Sequence, residues 1–332
     1  MLTPASTTQP RAAVVYHPLK TDVAGLRPVV DRYASENGWA ATRWYETAEA
    51  DAGIAAARQA VADGANVVLA SGGDGTVRAV AEALRGSGVP LAVVPQGTGN
   101  LLARNLGLKL GDFDVAVRAA FLGENRPVDL GVIRITREDE TEDEHVFLVL
   151  AGMGLDARAI SYTRSKLKKR LGWLAYVDAG VRTMIKDAPL RIQYSFDGSP
   201  AKPLTVYTVM IGNCGLMPGG VLLIPDAKLD DGLLDVVALR PLGPFSWLRI
   251  WSKLTWENGV LRKSKAGRQV IDLVNDTRAV TYLRSRRFAV SVAHPEPIQL
   301  DGDDFGIALA ASGSVDPGAL VVRVLPDWSP AI

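Results

Sequence analysis

Asn66-Val67-Val68-Leu69-Ala70-Ser71-Gly72-Gly73-Asp74-Gly75-Thr76 is a short apolar run that stops at a cluster of glycines. A run of this length, bounded by turn residues, predicts a buried strand. Beyond it Val77, Val80, Ala81 and Leu84 fall at i, i+3, i+4 and i+7, the spacing of one helix face. Strand, glycine turn and helix therefore come in order, and the pattern repeats on both sides. Residues 12–16 and 39–45 read as strands, with helices at 25–36 and 50–62. Residues 91–94 read as another strand, closed by Pro95 and followed by a second glycine loop and a helix from about Asn100. The β-α-β-α order predicts a doubly wound parallel sheet covered by helices on both faces.

After Pro127 the rhythm changes. Strands are expected at 130–136, 146–150, 190–196, 204–211, 233–239 and 288–293. Leu190, Ile192, Tyr194 and Phe196 would share one face, and Asp197-Gly198 is a hairpin turn signal. This half reads as an antiparallel β domain interrupted by helical stretches near 165–186 and 244–284. The six acids within 138–144 fit a solvated hairpin loop better than a metal site.

Composition narrows the class. The 332 residues suffice for two domains, and 48% apolar with 22% charged residues is ordinary globular composition. A net charge of +1 provides no global field for nucleic acid or membrane. Cys214 is the single cysteine, which excludes an internal disulfide framework and fits a reducing compartment. With only His17, His145 and His294 beside it, a zinc site is not expected. Residues 1–10 are polar, read as a disordered tail, and lack the apolar stretch of a signal peptide. No run of about 18 apolar residues marks a membrane span.

The glycines carry the chemistry. In Gly72-Gly73-Asp74-Gly75-Thr76 they let the backbone approach a ligand and point N–H groups at it, while the following helix presents its positive end. Asp74 would repel a phosphate unless a cation or a substrate hydroxyl intervenes, which implies magnesium or proton transfer. A plain strand–helix turn accounts for this loop alone equally well. Gln96-Gly97-Thr98-Gly99-Asn100 then repeats the design after the next strand. Two such loops at the carboxyl ends of adjacent parallel strands would face one crevice. Neither is a Walker loop, and neither is followed by the acid of a dinucleotide site. Gly152-Met153-Gly154-Leu155-Asp156-Ala157 matches the dinucleotide pattern only superficially, since it lies in the β half.

Two acidic clusters lie farther along. Asp226, Asp230, Asp231 and Asp235 surround Gly232 and suit either a hard cation or a solvated turn. In Gln299-Leu300-Asp301-Gly302-Asp303-Asp304 an exposed carboxylate could take a proton from an attacking alcohol.

Read together, Gly72 to Thr76, Gly97-Thr98-Gly99-Asn100 with Leu101-Leu102-Ala103-Arg104, Ala151 to Ala157, Pro225 to Val236 and Leu300-Asp301-Gly302-Asp303 resemble the diacylglycerol kinase catalytic-domain family. The likeness is to its bacterial branch; the family includes sphingosine and ceramide kinases and is related to NAD kinases. It spans roughly residues 11–325. The resemblance implies an ATP-binding α/β domain at 11–127, rejoined by 312–330, and a lipid-substrate β-sandwich domain at 128–311, with ATP in the cleft between them. It implies that Gly72, Gly73, Asp74, Gly75, Thr76, Val77, Arg78, Gly97, Thr98, Gly99 and Asn100 line the ATP site, with Thr47 an additional contact. It places Asp303 at the family's glutamate general base, a role Asp301 or Asp74 could share. It implies a structural Mg2+ held by Asp231 and the carbonyls of Lys228 and Leu233.

This sequence departs from the family in three places. His17-Pro18 stands for the family's Asn-Pro, Asp303 is one methylene shorter than Glu, and Leu101 replaces an acid found in many bacterial relatives. The activity implied is transfer of the γ-phosphoryl group of ATP to the hydroxyl of diacylglycerol or a related lipid. The alternatives are a kinase of a soluble acceptor and a nucleotide-binding regulator whose catalysis has decayed. The expected partner is a lipid at a membrane surface and not nucleic acid; the expected place is cytoplasmic or peripheral at the inner face of the membrane, and a homodimer is compatible with it. For membrane contact the candidates are Arg164, Lys166, Lys168, Lys169 and Arg170, which suit a solvated helix as well, and Trp256. Trp256 lies opposite a core-like stripe of Trp247, Ile250, Trp251 and Leu254.

Overall fold

The structure is a computed structural model and describes residues 9–154, 189–217, 221–224, 226–240 and 280–326. The chain divides into two compact units, Met1–Val128 with Gly318–Ala331, and Asp129–Pro317.

The first unit opens with β1 (Arg11–Tyr16), α1 (Val23–Glu36), β2 (Ala40–Glu46), α2 (Ile54–Ala62) and β3 (Val67–Gly72). It continues with α3 (Asp74–Leu84), β4 (Leu91–Pro95), α4 (Leu101–Asn105) and α5 (Phe113–Leu122). β3 and β4 are buried at every position, as strands covered on both faces must be. β2 alternates exposed and half-buried residues, the pattern of a sheet edge. Pairing is parallel throughout, in the order β2-β1-β3-β4. Asp22 starts α1 by accepting the N–H of Gly25, a side-chain N-cap. Leu26, Val30, Val117 and Phe121 of α1 and α5 pack on Val14, Leu69 and Val94 of the sheet. Near the C-terminus, Val322 pairs with Leu91 in parallel and Ala319 accepts the N–H of Gly86.

The second unit is an antiparallel β-sandwich. Its strands are β5 (Glu124–Thr136, which begins in the first unit), β6 (Glu142–Phe147), β7 (Leu150–Gly154), β8 (Leu190–Phe196), β9 (Lys202–Val206) and β10 (Thr208–Gly212). Then come β11 (Leu216–Met217), β12 (Val221–Leu222), β13 (Leu234–Leu239), β14 (Val280–Ser285), β15 (Arg287–Leu300) and β16 (Asp303–Val324, which ends in the first unit). β7 lies between β10 and β15, and β15 also pairs with β8 and β16. Phe147, Ile192, Leu234, Val290 and Leu300 are among the residues of its core.

Several expectations change. Residues 280–284, expected at the end of a helical stretch, are strand β14, paired with β13. The expected strand 204–211 is two strands, because the chain changes partner at Tyr207: β9 pairs with β8, and β10 with β7 and β13. β15 runs on to Leu300 through two register shifts around Pro295 and Pro297, residues that cannot donate to a ladder and that ended the sequence pattern. β16 is punctuated by Gly306, Gly313, Pro317 and Gly318, which hid it as a strand. The acid run forms a hairpin, as expected, with Glu142, Asp143 and Glu144 on β6 facing β5. The rest of the expected helical stretches, the basic cluster at 164–170, the tryptophans at 247–256, Pro225 and residues 155–157 lie outside the described residues.

Candidate functional site

In the first unit the chain leaves β1 toward β2 on one side and reaches β3 on the other. The carboxyl ends of β1 and β3 therefore form a topological switch point, where open α/β sheets bind ligands. Gly72 ends β3 there, Gly73 caps the start of α3, and Gly97 follows the end of neighbouring β4. Thr21, in the loop after β1, donates to the carbonyl of Ser71 at 2.8 Å and so fixes that loop against the end of β3.

The two glycine loops interlock. A Cβ on Gly97 would lie 2.7 Å from the Cα of Gly73, so the backbones approach more closely than any side chain allows. The carboxylate of Asp74 accepts the N–H of Asn100 at 2.9 Å and of Leu101 at 2.5 Å. Gly99 is required beneath it, since a Cβ there would meet Asp74 Oδ2 at 2.5 Å. Asn100, in the left-handed region at φ 50°, closes its own loop: Oδ1 accepts from Gly97 N and Nδ2 donates to Gly97 O. Arg104 Nε donates to the carbonyl of Gly99 at 2.6 Å. Asp74 thus spends its carboxylate on the second loop.

The remaining residues expected at this site are placed unequally. Gly75 is half-buried and Thr98 is exposed on its loop. Thr76 is buried, and its side chain fills the space a Cβ on Gly72 would need. Val77 is buried in the core, and Arg78 is buried with Glu82 as an ion-pair partner at 3.3 Å. Thr47 is also buried, its methyl group against Gly53. Leu101 is a buried core residue.

Sequence reasoning missed Lys20. Its Nζ is 3.4 Å from where a Cβ on Gly73 would be, which brings an exposed ammonium to the first glycine loop. Only the fold shows this, because Lys20 and Gly73 belong to different loops of the switch point. Burial, with the adjacent Lys20, holds the imidazole of His17 below its ordinary range. Gln96 carries no signal of its own in the sequence; its Nε2 is buried with no hydrogen-bond partner among the described residues. A glycine cradle that a Cβ would fill, an ammonium at its edge and an orphaned amide donor fit an anionic phosphate ligand such as that of ATP.

In the second unit Asp301 and Gly302, both at positive φ, form the two-residue turn between β15 and β16. Asp301 is buried, and its carboxylate accepts the N–H groups of Leu148, Val149 and Leu150 at 2.8–2.9 Å. It ties the turn to the corner between β6 and β7. Buried Cys214 donates from Sγ to the carbonyl of Leu148, and burial followed by the Asp301 charge pushes its thiol well up. Asp303, opposite Leu300 in the ladder, is half-buried, and its carboxylate has no hydrogen bond or ion pair among the described residues.

The acidic loop before β13 is organised from outside. Asp129 Oδ2 accepts the N–H of Gly232 at 2.7 Å, and its own N–H donates to the carbonyl of Leu229. Asp231 Oδ1 accepts the N–H of Leu233 at 3.1 Å. Asp235 is engaged by Arg284 at 3.0 Å, though burial still holds its carboxyl above the usual range. Carboxylate and carbonyl oxygens at 228–233 are the donor chemistry of a hard cation. Among the described residues no group of three His, Cys, Asp or Glu forms a metal cluster.

Comparison with known proteins gives this arrangement its family. Residues 11–133 match the diacylglycerol kinase catalytic domain, and residues 149–324 match the YegS C-terminal NAD kinase beta sandwich-like domain. The chain belongs to the diacylglycerol kinase family. This family member is 29% identical to a diacylglycerol kinase of Mycobacterium tuberculosis over 79% of its own length and 78% of that chain. It is 26% identical to the diacylglycerol kinase of Bacillus subtilis over 90% and 91%. A crystal structure of a diacylglycerol kinase from Bacillus anthracis shares the fold with a TM-score of 0.62 at 16% identity, covering 97% of this chain and 99% of that one. Membership of this kinase family supports a lipid kinase activity. Among the described residues of this kinase family member no helix is long and apolar enough to cross a membrane.

Proposed function

We propose that this kinase family member transfers the γ-phosphoryl group of ATP to the hydroxyl of diacylglycerol or a related lipid. The observation that carries the reading is the interlocked pair of glycine loops at the ends of β3 and β4. Phosphoryl transfer needs alignment and charge neutralisation more than covalent chemistry from the protein. Gly72, Gly73, Gly75, Gly97, Thr98 and Gly99 would hold the phosphates through backbone N–H groups and the Thr98 hydroxyl. Lys20 would neutralise charge beside Gly73. Thr76, Asn100 and Asp74 would act by keeping the loops in register. ATP, when bound, supplies the phosphoryl group.

Asp303 is the group we assign to accept the proton of the acceptor hydroxyl. An ordinary Asp, at a reference pKa of about 3.9, is ionised at neutral pH. Asp301, committed to three backbone N–H groups, supports the turn that carries it. Asp231 with the carbonyls of Lys228 and Leu233 would hold Mg2+. Peripheral association with the inner face of the membrane belongs to the same reading, since a lipid acceptor must be reached at a bilayer surface.

The test is incubation of the purified chain with γ-labelled ATP, Mg2+ and a total lipid extract. Label in a chloroform-soluble product is the expected result. Label only in water-soluble product would move the acceptor to a soluble alcohol, and nucleotide binding without transfer would remove the catalytic reading.

A further inference from the structure

Outside these sites the second unit carries a basic groove of about 570 Å³ that the proposed kinase chemistry does not use. It lies on the face of β8 and β9 and on β15, with Arg240 at the end of β13. Arg191 is cross-strand to Thr205, and Gln193 is cross-strand to Ser291. Arg191, Gln193, Thr205, Ser291 and Ala293 are exposed, whereas Ile192 of the same strand is buried in the core. Among the described residues no carboxylate lines the groove. Two arginines, an amide and two hydroxyl side chains therefore line one concave surface, with no countercharge on it among the described residues.

We propose that this groove binds a phosphate group, as a second anion site separate from the glycine loops. A carboxylate has two oxygens, which one guanidinium fork already satisfies. A phosphate has three or four, enough to engage both arginines and still accept from Gln193, Thr205 or Ser291. A volume of this size holds a small molecule or one headgroup, within the range of about 300–1,000 Å³ for ligand pockets. A polyanion held by two arginines would leave most of its phosphates uncontacted. The chemistry is common to a phospholipid headgroup and a free phosphate ester. The headgroup would rest on the lipid kinase reading; the site itself does not.

The experiment uses the full chain without ATP. Titration calorimetry with inorganic phosphate and with glycerol 3-phosphate is run beside flotation with phosphatidylcholine vesicles, with and without phosphatidylglycerol. Wild type binds at least one class of probe. At roughly 1 kcal/mol per basic group, about fivefold each, Arg191→Gln with Arg240→Gln weakens that binding on the order of 25-fold. The double Arg→Lys variant retains part of it, and thermal melts verify that each variant is folded. Binding of the small probes alone assigns a free phosphate, and preference for anionic vesicles alone assigns a headgroup. Failure of wild type to bind either class, or equal binding by the folded Gln variant, overturns the proposal. Because ATP is absent, neither result depends on whether the chain is an active kinase.

Discussion

The carboxylate of Asp74, on the first turn of α3, accepts the backbone N–H of Asn100, 26 residues away on the loop after β4, at 2.9 Å. One side chain therefore sets the spacing of both glycine loops. Asp74→Ala leaves two N–H groups without their acceptor. We expect destabilisation of about 1–3 kcal/mol in denaturant titration, together with weaker ATP binding. Asp74→Asn, which keeps one acceptor oxygen, falls between. Wild-type stability and affinity in Asp74→Ala would remove the loop-spacing role.

The glycines give a contrast within one motif. Gly97→Ala places a methyl 2.7 Å from the backbone of Gly73, so one loop must move. Gly73→Ala meets the flexible end of Lys20 at 3.4 Å, which can swing aside. ATP affinity by calorimetry should fall about tenfold or more in Gly97→Ala and less in Gly73→Ala. The reverse order would place the ligand elsewhere.

Lys20→Ala should weaken ATP binding by about 1.5–3 kcal/mol if the ammonium meets a phosphate, at least tenfold in Kd. The salt dependence of binding should become shallower in the same variant. An unchanged Kd at low ionic strength would leave Lys20 a surface residue.

The two acids of the β15–β16 turn should separate by assay. Asp303→Asn should abolish transfer while leaving the unfolding free energy within about 0.5 kcal/mol of wild type, as for a surface change. Asp301→Ala should instead lower stability by about 1–3 kcal/mol or more, because three buried N–H groups lose their acceptor. Retained transfer in Asp303→Asn would exclude it as the base.

Acid stability has a local source in the second unit. Hydrogen bonding from Arg137, helped by His145, holds the Asp143 carboxyl below its ordinary value of 3.8 despite partial burial. With the folded value depressed, the unfolded chain binds more protons below about pH 4. The contribution is therefore complete above the unfolded value and is lost as pH falls through the folded one. Arg137→Gln should flatten stability against pH between about 5 and 3; an unchanged slope would show that the pair contributes nothing there.

Much of the architecture was legible because it is written locally. Runs such as Val67-Val68-Leu69-Ala70 next to glycines specify a strand that must turn, and the helical spacing of Val77 to Leu84 specifies the helix after the turn. β16 was not legible, since its glycines and Pro317 look like turns until a partner strand supplies the ladder. The same holds for Tyr207, where nothing in the local pattern marks a change of partner.

By itself the sequence determined the two glycine loops, their order after parallel strands, and the acids available to them, because each depends on short-range pattern. Only the tertiary structure decided what those residues do with their atoms. It turned Asp74 from a free acid into the acceptor that spaces two loops, took Asp301 into a buried knot of N–H groups, and brought Lys20 to Gly73. Hydrogen-bond partners distant in sequence are chosen by packing, and a carboxylate's chemistry is set by those partners.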